Sequence, residues 1–320
     1  MQIVTHSVTV IIAAYNSDST IERAIRSALN QSCEPNVIVV DDASSDQTVK
    51  VARAVIGDNQ RGKVILQDHN QGPSAARNRG LAAAQTDWVT PLDADDSMTP
   101  NRLDRMVTMA VSNNWDAIAD DQYRISSWAS DAPKRRLWSD SDFGKLELSL
   151  ERFVRENISD HTGFGRELGY IKPLIKRDFL TNHDIYYDAD MRLGEDYDLY
   201  ARLLLRGAKF GLVDPLGYLA FDTPGSLSRA HRSGALQKLV GSDRRLLSDR
   251  MLPSEARKTV IEHMRLNQKK VAWAKLGESF HERAPLKALS SFATPPMVMG
   301  DTLSRLFPLI GRKLGFLKEK

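Results

Sequence analysis

Val8–Asn16 reads VTVIIAAYN. Its first part, Val8–Ala13, is an unbroken run of β-branched and small residues, and the stretch ends in two polar side chains, Tyr15 and Asn16. No apolar/polar alternation interrupts it, so it predicts a strand buried on both faces, as in a parallel sheet. Next along the chain, Ser19-Thr20-Ile21-Glu22 forms a capping box, with Ile21, Ala24, Ile25, Ala28 and Leu29 at helical spacing. Val37–Val40 predicts a second buried strand, which ends in Asp41-Asp42. Ser44-Ser45 then suits the N-cap of a helix through Val49, Ala52, Arg53 and Ile56 that Gly57 stops. Val64–Leu66 predicts a third strand, Gly72–Gln85 an Ala-rich helix, and Trp88–Leu92 a fourth strand running into Asp93-Ala94-Asp95-Asp96. Thr99 caps the next helix, with Pro100 at its first position.

This rhythm predicts an α/β fold, with a mostly parallel sheet and helices on both faces. In such sheets ligands bind beyond the carboxyl ends of the strands. Tyr15-Asn16, Asp41-Asp42 and Asp93–Asp96 all fall there, which marks them as a candidate site. After another strand at Trp115–Asp120 the pattern loosens, and 126–170 reads as an insertion. Gly194–Leu205 predicts a helix with Glu195 and Asp196 at its start and Gly207 just past its end. From about residue 234 the chain reads as helical, interrupted by Pro285, Pro295, Pro296 and Pro308.

The composition sets outer limits. With 320 residues, 42% hydrophobic and 27% charged, the chain can bury a core, and wholesale disorder is excluded. The longest apolar run, Val8–Tyr15, is too short to cross a bilayer, and no secretory pattern opens the chain. A single cysteine, Cys33, excludes an internal disulfide framework and a cysteine-built zinc site. These features predict a cytoplasmic protein whose only membrane contact is peripheral. The net charge of +3 is uneven: residues 228–320 hold 19 Lys/Arg against 8 Asp/Glu, while residues 1–227 hold 25 against 33. The basic part suits an anionic headgroup layer, and no nucleic-acid motif accompanies it. A solvated basic helical face would give the same composition.

The acidic clusters carry the chemistry. Asp93-x-Asp95 puts two carboxylates close together, which favours a cation between them; hard oxygens suit Mg²⁺ or Mn²⁺ bridging to a diphosphate. An acidic turn capping the next helix would read the same way. Asp42 can accept from the imide N–H of a base such as uracil, with Tyr15 on the base face. Arg77, on the first turns of the helix opened by Gly72, favours an anion. Asp196, at a helix start, is placed to stay ionised and take a proton from a hydroxyl; simple dipole capping is the plainer account. His231 is a candidate for a metal shell.

Taken in order, VTVIIAAYN, VVDDASSD (Val39–Asp46), GPSAARNRG (Gly72–Gly80), LDADD (Leu92–Asp96) and GED (Gly194–Asp196) resemble the motifs of family 2 glycosyltransferases over roughly residues 5–230. Gly169-Tyr-Ile-Lys-Pro-Leu-Ile and Arg192-Leu-Gly-Glu-Asp-Tyr look most like bacterial exopolysaccharide glucosyltransferases of the succinoglycan type. The resemblance implies a GT-A fold and inverting transfer from a nucleotide sugar such as UDP-glucose. It implies that Ala13, Tyr15 and Asp42 hold the nucleoside with Asp41 adjacent, and that Asp93 contacts the ribose or donor sugar. Asp95 and His231 would bind Mn²⁺ or Mg²⁺, and Asp196 would be the general base. Two positions depart from the pattern: Ala14 stands for the usual proline and Ala43 for the usual glycine. The Gln-x-x-Arg-Trp motif of processive synthases is missing, so a single-sugar transfer to a saccharide or lipid-linked saccharide is implied.

The implied organisation is a GT-A domain over 1–230, with a nucleotide-sugar half (1–120) and an acceptor and base half (121–230) that includes an acceptor-facing 126–170. A helical basic region follows over 231–320. Its run Leu303–Lys318 could dock on the inner membrane face. Two other readings stay open. A sugar-nucleotide nucleotidyltransferase would usually carry a Gly-rich basic loop where this chain has Ala-Ala-Tyr-Asn. A catalytically inactive sugar- or lipid-binding module would have no need of Asp93, Asp95 and Asp196.

Overall fold

The computed structural model describes residues 6–125, 134–158, 166–221, 233–282, 284, 288, 292 and 295–313, with backbone alone for 308–313. The chain divides into two compact units, Met1–Ser226 and Leu227–Lys320.

The first unit is built on strand β1, Val8–Ala14, whose residues are nearly all buried, as a two-faced apolar strand must be. It lies between β2 (Asn36–Asp41) and β4 (Trp88–Pro91), both parallel to it; β2 also pairs in parallel with β3, Gly62–Leu66. The sheet continues through β10 (Leu174–Lys176), antiparallel to both β4 and β6 (Ala117–Asp120), then β11 (Phe210–Val213) and the edge strand β9 (Lys145–Leu148). The full order is β3-β2-β1-β4-β10-β6-β11-β9. Helices α1 (Ile21–Leu29), α2 (Thr48–Ile56), α3 (Pro73–Ala83), α4 (Arg102–Ser112), α5 (Leu150–Arg155), α6 (Arg177–Asn182) and α7 (Glu195–Leu205) accompany it. A close approach explains one glycine on α3: a Cβ at Gly80 would stand 2.4 Å from Ile11 Cγ2 on β1.

A second, smaller sheet, β5-β12-β7-β8, is made of Ser97–Met98, Tyr218–Phe221, Tyr123–Ile125 and Lys134–Arg136. It departs from the sequence expectation, which had no strand at β5, β7, β8 or β12. Nor is 126–170 wholly an insertion, because within it β9 closes the edge of the main sheet through antiparallel pairing with β11.

Three expected helix starts shift. Thr20, not Ser19, precedes α1, and no side chain caps it; the Thr20 and Ile21 N–H groups both donate to the Ser17 carbonyl. Ser44 does not cap α2, which begins only at Thr48; its hydroxyl accepts the Asn16 N–H, and Asp46 accepts the Thr48 N–H at 2.9 Å. Helix α4 starts at Arg102 rather than at Pro100, because Thr99 is tied to Gly217 and the Gln31 side chain accepts the Leu103 N–H. Ala43 takes φ +61, a conformation that costs a non-glycine residue roughly 1–2 kcal/mol and that the family's usual glycine would adopt freely.

The second unit holds α8 (Ser233–Ser248), α9 (Ser254–His281) and α10 (Pro296–Lys313). Glu278 on α9 accepts from the N–H and hydroxyl of Ser233, and buried Asp243 and His263 join α8 to α9 at 2.9 Å. Pro308 was expected to break the last helix, but α10 runs through it. A proline there removes the donor to the carbonyl of residue 304. Ser304 is exposed, so water can serve that carbonyl instead. Among the described residues, no helix is long and apolar enough to cross a membrane.

Candidate functional site

The loops after β1 and β2 are laced together. Asn16 Oδ1 accepts the Ser45 N–H at 2.9 Å, Ser17 N–H donates to Thr48 Oγ1 at 2.7 Å, and Asp18 N–H donates to Asp46. This network leaves Tyr15 half exposed (50%), with room for a flat ring to stack. Ala13 is partly exposed, in register with Val40.

The two aspartates after β2 differ. Asp42 holds the loop leading to α3: Oδ1 accepts from the Gln67 side chain and the Gln71 N–H, and Oδ2 from the Gly72 N–H at 2.8 Å. Three of about four acceptor positions are therefore taken, and one remains for a base N–H. Asp41 accepts the Ser44 N–H on Oδ2, while its buried Oδ1 has no hydrogen-bond partner.

After β4, the Asp96 N–H closes a turn onto the Asp93 carbonyl. Strand β12 clamps this turn: the Tyr218 hydroxyl donates to Asp96 Oδ2 at 2.7 Å, and the Phe221 N–H donates to Oδ1 at 2.9 Å. Burial, helped by the charges of Asp93 and Asp95, pushes the Asp96 carboxyl well above the usual range. Both Asp96 oxygens are thus taken by β12, and Asp95, half-buried beside it, has its carbonyl held by Arg23.

At the centre is a charge cluster drawn from four segments. Arg77, from α3, donates Nη2 to Asp93 Oδ1 at 2.9 Å and Nη1 to Glu195 Oε1 at 2.8 Å, and Nη1 stands 3.8 Å from Asp196 Oδ1. Lys172, just before β10, places Nζ 3.0 Å from Asp93 Oδ2 and 2.7 Å from Asp196 Oδ2. Burial raises the Asp93 carboxyl, but Lys172 and Arg77 outweigh it and hold it at about 2. Burial likewise opposes charge on Lys172 and Arg77, and in both cases the surrounding carboxylates win and keep them cationic. Burial raises the Tyr187 phenol, which lies near the Arg77 guanidinium.

The sequence reading is changed here. It favours a cation between Asp93 and Asp95; in the structure Arg77 and Lys172 pair with Asp93, which leaves Asp95 as the carboxylate for a cation. It gave Arg77 a ligand anion, whereas Arg77 is occupied by three protein carboxylates. It did bring Asp93 and Asp196 together, since both share Lys172 and Arg77. It had no role for Lys172, although a lone cation in the otherwise apolar run Tyr170-Ile-Lys-Pro-Leu-Ile was the available signal. His231 lies outside the described residues. Among the described residues, no three His, Cys, Asp or Glu side chains form a metal cage. Asp95 nonetheless suits a hard cation, because Mg²⁺ is commonly held by one or two carboxylates plus substrate phosphate.

The Glycosyl transferase family 2 profile matches residues 9–171. This chain belongs to that family. It is 38% identical over 258 residues to the succinoglycan biosynthesis protein ExoU of Rhizobium meliloti, covering 81% of this chain and 74% of ExoU. It is 33% identical over 297 residues to ExoO of the same organism, covering 91% and 82%. Among solved structures, S. aureus TarS 1-349 in complex with UDP-GlcNAc superposes with a TM-score of 0.64 at 17% identity, covering 93% of this chain and 92% of that one. The mannosyltransferase PcManGT of Pyrobaculum calidifontis, in complex with GDP-Man and Mn²⁺, gives 0.57 at 17% identity, covering 98% and 81%. These likenesses agree with the GT-A fold expected of family 2.

Proposed function

We propose that this family 2 glycosyltransferase moves a single sugar, glucose, from a UDP-sugar to a saccharide or lipid-linked saccharide acceptor, with inversion, in the synthesis of a bacterial exopolysaccharide. The observation that carries this reading is the sharing of Lys172 and Arg77 by Asp93 and Asp196. A donor-side carboxylate and a base candidate then stand within reach of one sugar–phosphate bond. The relatives ExoU and ExoO are named for succinoglycan biosynthesis, which supports the polysaccharide product.

In this mechanism the uracil stacks on Tyr15 beside Ala13, with Asp42 as imide acceptor and Asp41 adjacent. Asp93 orients the ribose or donor sugar, and Arg77 acts on the donor through the carboxylates it holds, Asp93 among them. The acceptor O–H bond breaks and its proton passes to Asp196. The acceptor oxygen bonds to the anomeric carbon as the bond from that carbon to the diphosphate oxygen breaks, and the electron pair leaves with UDP. Attack from the face opposite the diphosphate inverts the centre. Asp95, with His231, would hold Mn²⁺ or Mg²⁺, which when bound supplies Lewis-acid neutralisation of charge on the diphosphate.

The test is a thermal-shift and UDP-release screen of UDP-glucose, UDP-galactose, UDP-GlcNAc and GDP-mannose, with and without Mn²⁺. UDP-glucose with Mn²⁺ should give the largest shift. Asp95→Asn should lower turnover by about 10²-fold and abolish the response to Mn²⁺. Wild-type turnover with an unchanged Mn²⁺ response would reject the metal assignment; no shift with any nucleotide sugar would reject the enzyme reading in favour of an inactive module.

The second unit is proposed to hold the enzyme peripherally on the inner face of the cytoplasmic membrane, where a lipid-linked acceptor would lie. Its excess of Lys/Arg is joined on α10 by exposed Met297, Met299 and Phe307 (66%). Phe307→Ser combined with Arg312→Glu and Lys313→Glu should lose most co-sedimentation with phosphatidylglycerol vesicles; unchanged pelleting speaks against the idea.

A further inference from the structure

The segment Gly169–Lys172 is fastened at four consecutive residues by side chains from elsewhere in the unit. Asn157 Oδ1 accepts the Gly169 N–H at 2.7 Å. Gln122 Nε2 donates to the Tyr170 carbonyl at 2.9 Å. The buried Tyr200 hydroxyl donates to the Ile171 carbonyl at 2.9 Å. Arg102 Nη2 donates to the Lys172 carbonyl at 2.6 Å. Pro173 follows at once and stiffens the exit from the segment. A surface lysine would need none of this. Lys172 is instead 7% exposed, and its long side chain ends between two carboxylates.

The two oxygens of Asp196 are treated differently. Oδ2 accepts from Lys172 Nζ at 2.7 Å. Oδ1 is buried and has no hydrogen-bond partner, with Arg77 Nη1 3.8 Å away. A buried carboxylate oxygen without a donor is costly unless a ligand supplies one. The ammonium thus fixes the plane of the carboxylate and leaves one chosen oxygen for an incoming O–H.

We propose that Lys172 is a positioning residue of the transfer reaction: its ammonium holds Asp196 by Oδ2 so that Oδ1 faces the acceptor hydroxyl, and by sharing Asp93 it ties that orientation to the donor seat. This rests on Asp196 being the base, as proposed above. Lys172 itself takes no proton and touches no reacting atom. Glu195 does not duplicate its role, because its carboxylate is engaged by Arg77.

The test is a double-mutant cycle with Lys172→Met and Asp196→Asn, read as UDP release with water as acceptor, alongside the Kd of the nucleotide sugar that gave the largest thermal shift. Lys172→Met should lower kcat about 100-fold and move the donor Kd by less than threefold. In the Asp196→Asn background the same change should alter residual turnover by less than threefold, because its route through the base is already lost. Lys172→Ala should recover at least tenfold with ethylammonium and not with ethanol. Should Lys172→Met fold poorly, the double variant, with one charge of each sign removed, supplies the same comparison against Asp196→Asn. Full turnover in Lys172→Met, an additive loss in the double variant, or no ammonium rescue would overturn the proposal. Wild-type turnover in Asp196→Asn is a different failure: it removes the base assignment itself.

Discussion

Asp196→Asn lowers turnover by about 10²–10⁴-fold, the range for losing a general base, and leaves nucleotide-sugar affinity within a few fold. The substitution keeps the planar shape, and the amide oxygen still accepts from Lys172, so the geometry of Lys172 and Asp93 survives. Stability does not explain the loss. The cluster holds three carboxylates, Asp93, Glu195 and Asp196, against two cations, Arg77 and Lys172. Removing one negative charge brings it closer to balance, and the melting temperature should stay level or rise slightly. Single-turnover measurements would place the defect in the chemical step. Turnover near wild type would remove Asp196 as the base and leave the cluster with a purely structural role.

Much of this site was legible because its residues sit where strand periodicity stops. Tyr15, Asp41-Asp42 and Asp93–Asp96 each follow an apolar run that can only be an inner strand, and such runs end at the ligand-binding edge of a parallel sheet. Asp196 was legible from its place at a helix start. Lys172 was marked only by being a lone cation in an apolar run; its role was not legible, because its position depends on partners far along the chain: Asn157, Gln122, Tyr200 and Arg102 come from four other places, and no local pattern reports them. The second sheet was missed for a similar reason. Its strands are two to four residues long, too short to show alternation, and β12 is held by Asp96 and Asp120 from distant parts of the chain. The cation reading of Asp93-x-Asp95 saw only part of the charge balance. The repulsion argument was sound, but the balancing cations are side chains distant in sequence.

The largest expected effect on stability belongs to Arg102, which is wholly buried with Asp120. Its Nε and Nη2 donate to Asp120 Oδ1 at 2.9 and 2.7 Å, and Nη2 also reaches the Lys172 carbonyl. Asp120 Oδ2 accepts the N–H groups of Leu216 and Gly217, which lead into β12. Arg102→Met leaves that carboxylate buried with no countercharge, at a cost of about 3–5 kcal/mol. In a unit of this size that is a drop of about 10 °C or more in melting temperature. Asp120→Asn added to Arg102→Met should restore part of it, since a neutral amide oxygen can still accept the backbone N–H groups of Leu216, Gly217 and Tyr218 without a charge to desolvate. Turnover should not return with it, because the Lys172 carbonyl still lacks its donor and the ammonium is no longer held between Asp93 and Asp196. Arg102→Lys should not substitute, because one ammonium cannot reproduce the fork that meets Asp120 and the Lys172 carbonyl together. A melting temperature within 2 °C of wild type for Arg102→Met, measured alongside denaturant unfolding, would show that the buried pair contributes far less than its burial implies.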